Sequence, residues 1–395
     1  MLSSAPLDTR RLLRIGLALA ISATLCDVLV SLFLVHDGMF LGRPLPPFGA
    51  ITHPQQRERL AGDEAPSGIG QFDAELGWTV RPSSVSDDGL FVIDALGARG
   101  PREYGALPAP GKRRVITFGD SFTFGDEVPV ESSFQWLLEQ RAPALEVLNF
   151  GVGGYGTDQA FLRYQRLGNL GAEVACMGIL LENIGRNVNR YRPLWNTRTG
   201  ICVTKPRFVL DAGGALELVP QPFGSRAELR TAILDGTLFE HIAEHEHWLG
   251  PRVFTGRLSS LARLCAGYFA YRARSPARLW SHPEGEPFRV TLALLEAFHR
   301  RALADGARLA PILVFPSKED LRNHGLPGHP YWGPFFAELE RRGIPFVDLV
   351  TPITERARAL GDGAASLYWG GHLSRTGNTI VAEELARWLH EHGFP

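Results

Sequence analysis

The sequence predicts an α/β protein in which helices cover a parallel sheet of five strands. Short β-branched runs alternate with amphipathic segments from residue 67 onward, which is the pattern of successive βαβ units. Apolar residues recur at helical spacing between these runs, for example Val381, Leu385 and Leu389 near the C-terminus. The candidate strands are residues 115–118, 147–150, 174–181, 309–315 and 345–349.

Composition limits the classes of function. The chain has 395 residues, of which 45% are hydrophobic, enough for one large core and a smaller appended unit. Its formal net charge of -1 gives no long-range field that would gather nucleic acid. The 4 cysteines have no C-x-x-C spacing and are too few for a disulfide framework, and only Cys202 with Cys265 forms a candidate pair.

Residues 12–35 form an apolar stretch near the N-terminus. As a helix it would be about 36 Å long, against a hydrocarbon core of about 30 Å, and it is too long for the core of a cleaved signal peptide. Arg10, Arg11 and Arg14 precede or begin it, so the positive-inside tendency places residues 1–11 in the cytoplasm. The sequence therefore predicts a single-pass anchor in the inner membrane, with the rest of the chain in the periplasm.

Asp27 is an acidic residue inside this apolar stretch. Two interpretations stay open for it. One is a polar residue that a single membrane-spanning helix tolerates, and the other is a contact with a partner helix.

The remaining chain divides into a linker and one domain. Residues 36–66 have the Pro- and Gly-rich composition of a semi-rigid linker. Residues 67–395 follow as a single domain, but the interval between its third and fourth strands is too long for a simple crossover. We therefore predict an insertion at about residues 191–288, containing a β-hairpin formed by residues 208–210 and 216–219.

A serine ends the first predicted strand, in the sequence Gly119-Asp120-Ser121. The carboxyl end of a strand that faces a helix N-terminus is where open α/β sheets bind ligands, and free amides there can hold an oxyanion. The alternative is a structural N-cap serine. The spacing G-x-S-x-x-x-G differs from the G-x-S-x-G turn of α/β-hydrolases.

Three further loops carry candidate groups in the same position. The second strand leads into the glycine-rich turn that contains Gly154, whose N–H is a candidate oxyanion donor. Asn183 follows the third strand, and its side chain could donate to the same oxyanion. His372 lies on a loop just before the last helix. Tight or solvated turns are the structural alternatives for the glycine and the asparagine.

These blocks together resemble the SGNH/GDSL hydrolase superfamily over residues 70–395. The superfamily's four named residues match Ser121, Gly154, Asn183 and His372, with Asn187 as a competitor for the asparagine. The resemblance implies a flavodoxin-like three-layer α/β/α sandwich. It also implies esterase, lipase or carbohydrate O-acyl chemistry that needs no metal or cofactor.

One departure concerns the group that orients His372. The superfamily usually carries an aspartate two or three residues before the histidine, where this chain has Gly370 and Trp369. The candidates are Asp362, Asp348 and a backbone carbonyl, and Asp362 is the residue that we favour from the sequence.

The sequence thus predicts a serine esterase with Ser121 as nucleophile and His372 as general base. The predicted oxyanion hole consists of the Ser121 and Gly154 amides and the Asn183 side chain. Its expected substrate is an O-acyl ester, most simply an acetyl ester on an extracytoplasmic carbohydrate. Two alternatives stay open, a carbohydrate O-acetyltransferase of polysaccharide assembly and a catalytically weak glycan-binding scaffold. Protein partners stay unknown from the sequence, which indicates no cofactor and no metal site.

Overall fold

The computed structural model describes residues 9–36, 38–41, 43–45, 68–196, 199, 201–249, 259–323, 330–361 and 364–394. A five-stranded parallel sheet lies at the centre of the domain. Its strands are β1 (Arg113–Phe118), β2 (Leu145–Asn149), β3 (Val174–Leu180), β4 (Ile312–Phe315) and β5 (Phe346–Asp348).

The order of strands across the sheet is β5-β4-β3-β1-β2, and all pairings within it are parallel. This is the order of flavodoxin-like doubly wound sheets, in which the chain reverses its direction of travel between β1 and β3. The predicted fold class and all five predicted strands are confirmed, with end points that shift by one to three residues.

Helices cover both faces of the sheet, because successive strand residues point to opposite sides. Ile116 and Met177 face one apolar core, to which the helices Thr157–Leu167 and Glu286–Ala304 contribute. Val115 and Cys176 face the other core. The second core is closed by helices that include Phe134–Arg141 and Arg375–Glu391. The architecture is therefore the predicted three-layer sandwich.

Several short elements complete the described chain. The remaining helices of the domain are Ser121–Phe124, Asn183–Arg186, Arg192–Trp195, Arg226–Asp235, Leu238–Ile242, Ser260–Ala273, Pro276–Trp280, Lys318–Asn323, Gly333–Arg341 and Val350–Leu360. Two-stranded antiparallel ladders join Met39–Phe40 to Arg43–Pro44, Gly70–Asp73 to Gly77–Val80, Ser84–Val85 to Val92–Ile93, and Tyr368–Trp369 to His372–Leu373.

The interval between β3 and the helix Glu286–Ala304 contains the predicted hairpin, formed by Arg207–Leu210 and Leu216–Val219. Cys202 in this interval is buried, whereas Cys265 is exposed, and both are free thiols. The candidate disulfide between them is therefore wrong. The limits of the insertion, like those of the anchor, linker and domain, stay predictions, and most of the linker lies outside the described residues.

A 25-residue helix, Thr9–Phe33, precedes the domain, and it has the length and composition to cross a membrane. Its Asp27 carboxylate accepts hydrogen bonds from the Ser259 hydroxyl (2.8 Å) and the Leu261 amide (2.7 Å). The partner of Asp27 is thus the start of the helix Ser260–Ala273 in the same chain. Asp27 thus contacts a second helix, as one of the two interpretations proposed, but that helix belongs to the same chain.

A buried ion pair attaches the interval after β3 to the sandwich. The Lys205 ammonium donates to the Asp158 carboxylate in the first turn of the helix Thr157–Leu167, and both side chains are fully enclosed. Burial raises the pKa of Asp158 and lowers the pKa of Lys205, because each charge has lost its water. Each group therefore depends on the other to stay ionised inside the protein.

We predict that Lys205→Met lowers the free energy of unfolding by about 3–5 kcal/mol, because it leaves the Asp158 carboxylate buried without its counter-ion. The double variant Lys205→Met/Asp158→Asn should recover most of that loss. Urea unfolding of the four proteins of this double-mutant cycle measures the coupling. Additive losses in the double variant would contradict the pairing.

Candidate active site

Ser121 lies three residues after the last residue of β1, Phe118, at the carboxyl edge of the sheet. It begins the short helix Ser121–Phe124, which the Asp120 side chain caps by accepting a hydrogen bond from the Phe122 amide (2.9 Å). The Ser121 side chain is 5% exposed. Its own carbonyl accepts bonds from the amides of Gly125 and Asp126, so the turn holds the hydroxyl in one place.

His372 reaches Ser121 from the opposite end of the domain sequence. Its Nε2 atom lies 2.8 Å from Ser121 Oγ, a hydrogen-bond distance. The ladder between Tyr368–Trp369 and His372–Leu373 carries the histidine, and the Phe122 ring packs against the imidazole. The structure therefore brings the predicted nucleophile and the predicted base together.

Glu127 lies on the other side of the imidazole. Its Oε2 atom is 3.3 Å from His372 Nδ1, and the same oxygen accepts hydrogen bonds from the amides of Gly371 (3.0 Å) and His372 (3.2 Å). Nδ1 and Oε2 are at ion-pair distance but do not meet hydrogen-bond geometry. A small rotation of either side chain would complete a bond from Nδ1–H. The arrangement is that of a carboxylate that orients an imidazole.

The sequence offered two acidic residues, Asp348 and Asp362, as the group that orients His372. Asp348 is occupied elsewhere, because its carboxylate caps the helix Val350–Leu360 by accepting from the Val350 amide and the Thr351 hydroxyl. Asp362 lies outside the described residues, so its role stays a prediction. Sequence reasoning missed Glu127, although the consecutive acids Asp126 and Glu127 stand only five and six residues after the nucleophile.

Asp126 approaches the same histidine from the side of its other nitrogen, Nε2. Its Oδ2 atom is 3.9 Å from His372 Nε2. Burial raises the pKa of Asp126 to about 6, against the opposing attraction of His372 and Arg99. Above that pKa the carboxylate is charged, and it then adds negative potential beside the base.

A buried arginine fixes the loop that carries both acids. Arg99, 2% exposed, donates from its guanidinium to the backbone carbonyls of Phe124 (2.7 Å) and Gly125 (2.6 Å), and to that of Val128. Glu127 itself adopts a φ of 69°, a conformation that non-glycine residues rarely adopt. The strained residue is held by its surroundings, as is common at functional sites.

The Gly154 turn packs beside the nucleophile. The Val152 amide donates to the Gly119 carbonyl (3.1 Å), and Gly154 has a φ of 80°. A Cβ atom on Gly154 would lie 2.8 Å from Ile201 Cδ1, so Ile201 would have to move, and the positive φ itself disfavours any residue other than glycine. Among the described residues, the Ser121 and Gly154 amides donate to no acceptor, which leaves both available to an oxyanion.

The two candidate asparagines have different surroundings. Asn187 is fully occupied, since its Oδ1 accepts from the Thr157 amide (2.7 Å) and its Nδ2 donates to Thr291 (2.9 Å). Asn183 is buried, and its Nδ2 donates to Asp120 Oδ2 (2.8 Å) beside the nucleophile. That amide nitrogen keeps a second hydrogen. Asn187 is therefore a structural residue of the helix Thr157–Leu167, and Asn183 is the one adjacent to the site.

Comparison with solved structures gives matches at low identity. The chain is similar to a member of the lipolytic protein G-D-S-L family from Veillonella parvula (10% identity, 70% of this chain and 97% of that chain, TM-score 0.33). It is similar to a lipase/acylhydrolase from Enterococcus faecalis (12%, 71% and 96%, TM-score 0.34). It is also similar to an acetyl xylan esterase from Geobacillus stearothermophilus (13%, 73% and 98%, TM-score 0.35). No family model and no curated protein matches the sequence.

We predict that Glu127→Gln slows the reaction of Ser121 with a fluorophosphonate by about 10²-fold or more. An imidazolium forms when His372 takes the serine proton, and the variant lacks the carboxylate that would stabilise it. The labelling rate is followed by mass spectrometry. Asp348→Asn serves as the matched control, since this carboxylate caps a helix. A normal rate in Glu127→Gln together with a slow rate in Asp362→Asn would assign the orienting role to Asp362 instead.

Proposed function

We propose that the protein is a serine esterase of the SGNH/GDSL type that hydrolyses an O-acyl ester. The observation that carries the proposal is the 2.8 Å contact between Ser121 Oγ and His372 Nε2 at the carboxyl edge of a flavodoxin-like sheet. A buried serine bonded to an imidazole, with a carboxylate behind the imidazole and free amides beside the serine, has the groups that acyl transfer needs.

The acylation step begins with attack of Ser121 Oγ on the ester carbonyl carbon, while His372 Nε2 takes the hydroxyl proton. The negative charge moves to the carbonyl oxygen, where the Ser121 and Gly154 amides and Asn183 Nδ2 donate hydrogen bonds. Glu127 stabilises the imidazolium through Nδ1–H. The intermediate then collapses, and His372 gives its proton to the departing alcohol.

The second half of the cycle uses the same groups. A water molecule enters where the alcohol left, His372 takes its proton, and the resulting hydroxide attacks the acyl-serine carbonyl. As that intermediate collapses, the bond between the acyl carbon and Ser121 Oγ breaks, and His372 returns its proton to Oγ. Ser121 is thereby restored and the carboxylic acid is released. The Asp126 carboxylate, 3.9 Å from Nε2, favours the cationic form of the base in both halves.

We place this domain outside the cytoplasm, held at the inner membrane by the helix Thr9–Phe33. That helix is long and apolar enough to span, and Arg10, Arg11 and Arg14 lie at its N-terminal end. An esterase in the periplasm would meet acylated extracytoplasmic carbohydrates. An O-acetyl ester of such a carbohydrate is the substrate that we propose.

The test uses the full-length protein in detergent with a fluorophosphonate and with an activated acetyl ester. We expect labelling at Ser121, and near-complete loss of turnover in Ser121→Ala and in His372→Ala. The double variant should lose about as much as either single variant, because the two residues act as one unit.

Asn183→Ala should lower the rate by about 10²–10³-fold if its side chain holds the oxyanion.

Ser281→Ala, which changes an exposed serine, is the control for these variants. Labelling at another serine, or turnover that persists in Ser121→Ala, would contradict the proposal. Release of free acetate in the presence of an oligosaccharide acceptor distinguishes hydrolysis from acetyl transfer.

A further inference from the structure

Arg192 lies behind the glycine turn of the candidate active site. Its Nε atom is 3.8 Å from the position that a Cβ atom on Gly154 would occupy. The side chain is only 5% exposed, and its Nε and Nη1 atoms have no hydrogen-bond partner among the described residues. A buried guanidinium without acceptors is costly to the fold. Burial accordingly lowers the pKa of Arg192 to about 9.

The acidic groups around Arg192 are already bound to other donors. Glu182 accepts from Arg186 (3.1 Å) and from the Trp195 indole (3.0 Å). Asp120 accepts from the Asn183 amide and lies 3.6 Å from Arg186. Both acids attract Arg192 at longer range, but neither forms an ion pair with it. Arg192 therefore keeps donors that can bind an anion arriving in the site.

We propose that Arg192 binds a carboxylate of the substrate beside the ester that Ser121 attacks, so that the substrate is the ester of an acidic sugar such as a uronic acid. This inference rests on the proposed esterase function. Arginine donors match carboxylate oxygens, and the pairing is strongest where water is excluded.

The test compares three soluble acetyl esters with the full-length protein in detergent. They are an O-acetylated methyl glucuronide, the neutral methyl ester of the same glucuronide, and an O-acetylated methyl glucoside 6-phosphate. We expect kcat/KM for the glucuronide to exceed that for its neutral methyl ester by roughly ten- to hundredfold, the range of hydrogen bonds to a charged group. In Arg192→Gln this ratio should fall to about one.

The control variant Arg278→Gln changes an exposed arginine and should keep the wild-type ratio. If Arg192→Gln does not fold, Arg192→Lys, which keeps the charge but loses the planar donors, should show an intermediate ratio. A wild-type ratio near one, or a ratio that Arg192→Gln leaves unchanged, overturns the inference while the esterase function stands. A greater preference for the phosphate overturns the carboxylate assignment, and no turnover of any ester overturns both proposals.

A separate observation concerns the helix Ser260–Ala273, here called the insertion helix. None of its side chains is buried, although most of them are apolar. Tyr268, Phe269 and Tyr271 are 56%, 69% and 55% exposed. Tyrosine is enriched at the membrane–water interface, and phenylalanine is common on the apolar face of helices that lie in that interface.

The insertion helix begins against the helix Thr9–Phe33. Asp27 binds Ser259 and the Leu261 amide, and Ser31 bonds to Ser260 (2.8 Å). Asp27 precedes Phe33 by six residues, or about 9 Å along the axis, so these contacts lie inside the apolar span near its outer end. One turn later Arg263 donates to the carbonyls of Gly38 (3.4 Å) and Leu45 (3.3 Å), beyond the span.

We infer that the insertion helix is seated in the outer leaflet of the bilayer that the helix Thr9–Phe33 crosses, with Tyr268, Phe269 and Tyr271 among the lipids. The membrane anchoring that we propose is its premise. The contacts with Asp27 and Ser31 fix the depth of its first turn, and its exposed aromatic residues are those of an interfacial helix. The domain would then be held to the bilayer at two places, which fixes the orientation of the active site.

The test places a nitroxide on Cys265, an exposed thiol of the insertion helix, in the full-length Cys26→Ser protein reconstituted in phosphatidylethanolamine/phosphatidylglycerol vesicles. Cys176 and Cys202 are buried and stay unlabelled. We expect the label to be relaxed more by oxygen than by a water-soluble nickel complex. A second label on Ser281→Cys in the Cys26→Ser/Cys265→Ser background should show the reverse.

Stronger relaxation of the Cys265 label by nickel overturns the inference. A label on Cys26, in the Cys265→Ser protein, tests the anchor itself. If the Cys26 label is also relaxed more strongly by nickel, the proposed membrane anchor is contradicted. If oxygen relaxes the Cys26 label more strongly but nickel relaxes the Cys265 label more strongly, only the insertion-helix inference is overturned.

Discussion

The hydrogen bond between Ser121 and His372 joins residues 251 positions apart, and the candidate active site depends on it. Ser121 is placed by β1, an interior strand of the sheet. His372 is placed by a short ladder that leads into the C-terminal helix Arg375–Glu391, which packs on one face of that sheet. The bond forms only when that helix is docked, so the candidate active site exists only in the completed sandwich.

Both carboxylates that approach the His372 imidazole lie on a single loop. Asp126 and Glu127 are neighbours in sequence, yet they approach different nitrogens of His372 because Glu127 adopts a positive φ that turns the backbone between them. The two carboxylates thus lie on either side of the imidazole. The loop that carries Glu127 places a carboxylate near Nδ1 in a chain that has Trp369 and Gly370, rather than an acid, just before the histidine.

Local patterns in the sequence were sufficient to predict the strands and the four site loops. β-Branched runs identify buried strands, and the carboxyl ends of parallel strands converge on one edge, so Ser121, Gly154, Asn183 and His372 could be grouped without a structure. Glu127 could not be found in this way, because its role depends on backbone conformation at one residue. The surroundings of Arg192 and the contact of Asp27 with Ser259 depend on tertiary packing, which one sequence does not display.

The bonds made by Arg99 have a consequence for how this site can change. All three of its acceptors on the loop are backbone carbonyls, which every amino acid supplies. The conformation of the loop is therefore largely independent of which side chains it carries. Related chains could exchange Asp126 or its neighbours, and so alter the potential around the histidine, while the loop keeps its shape. Arg99 thus fixes the backbone of the loop, while the side chains that the loop presents to His372 can change.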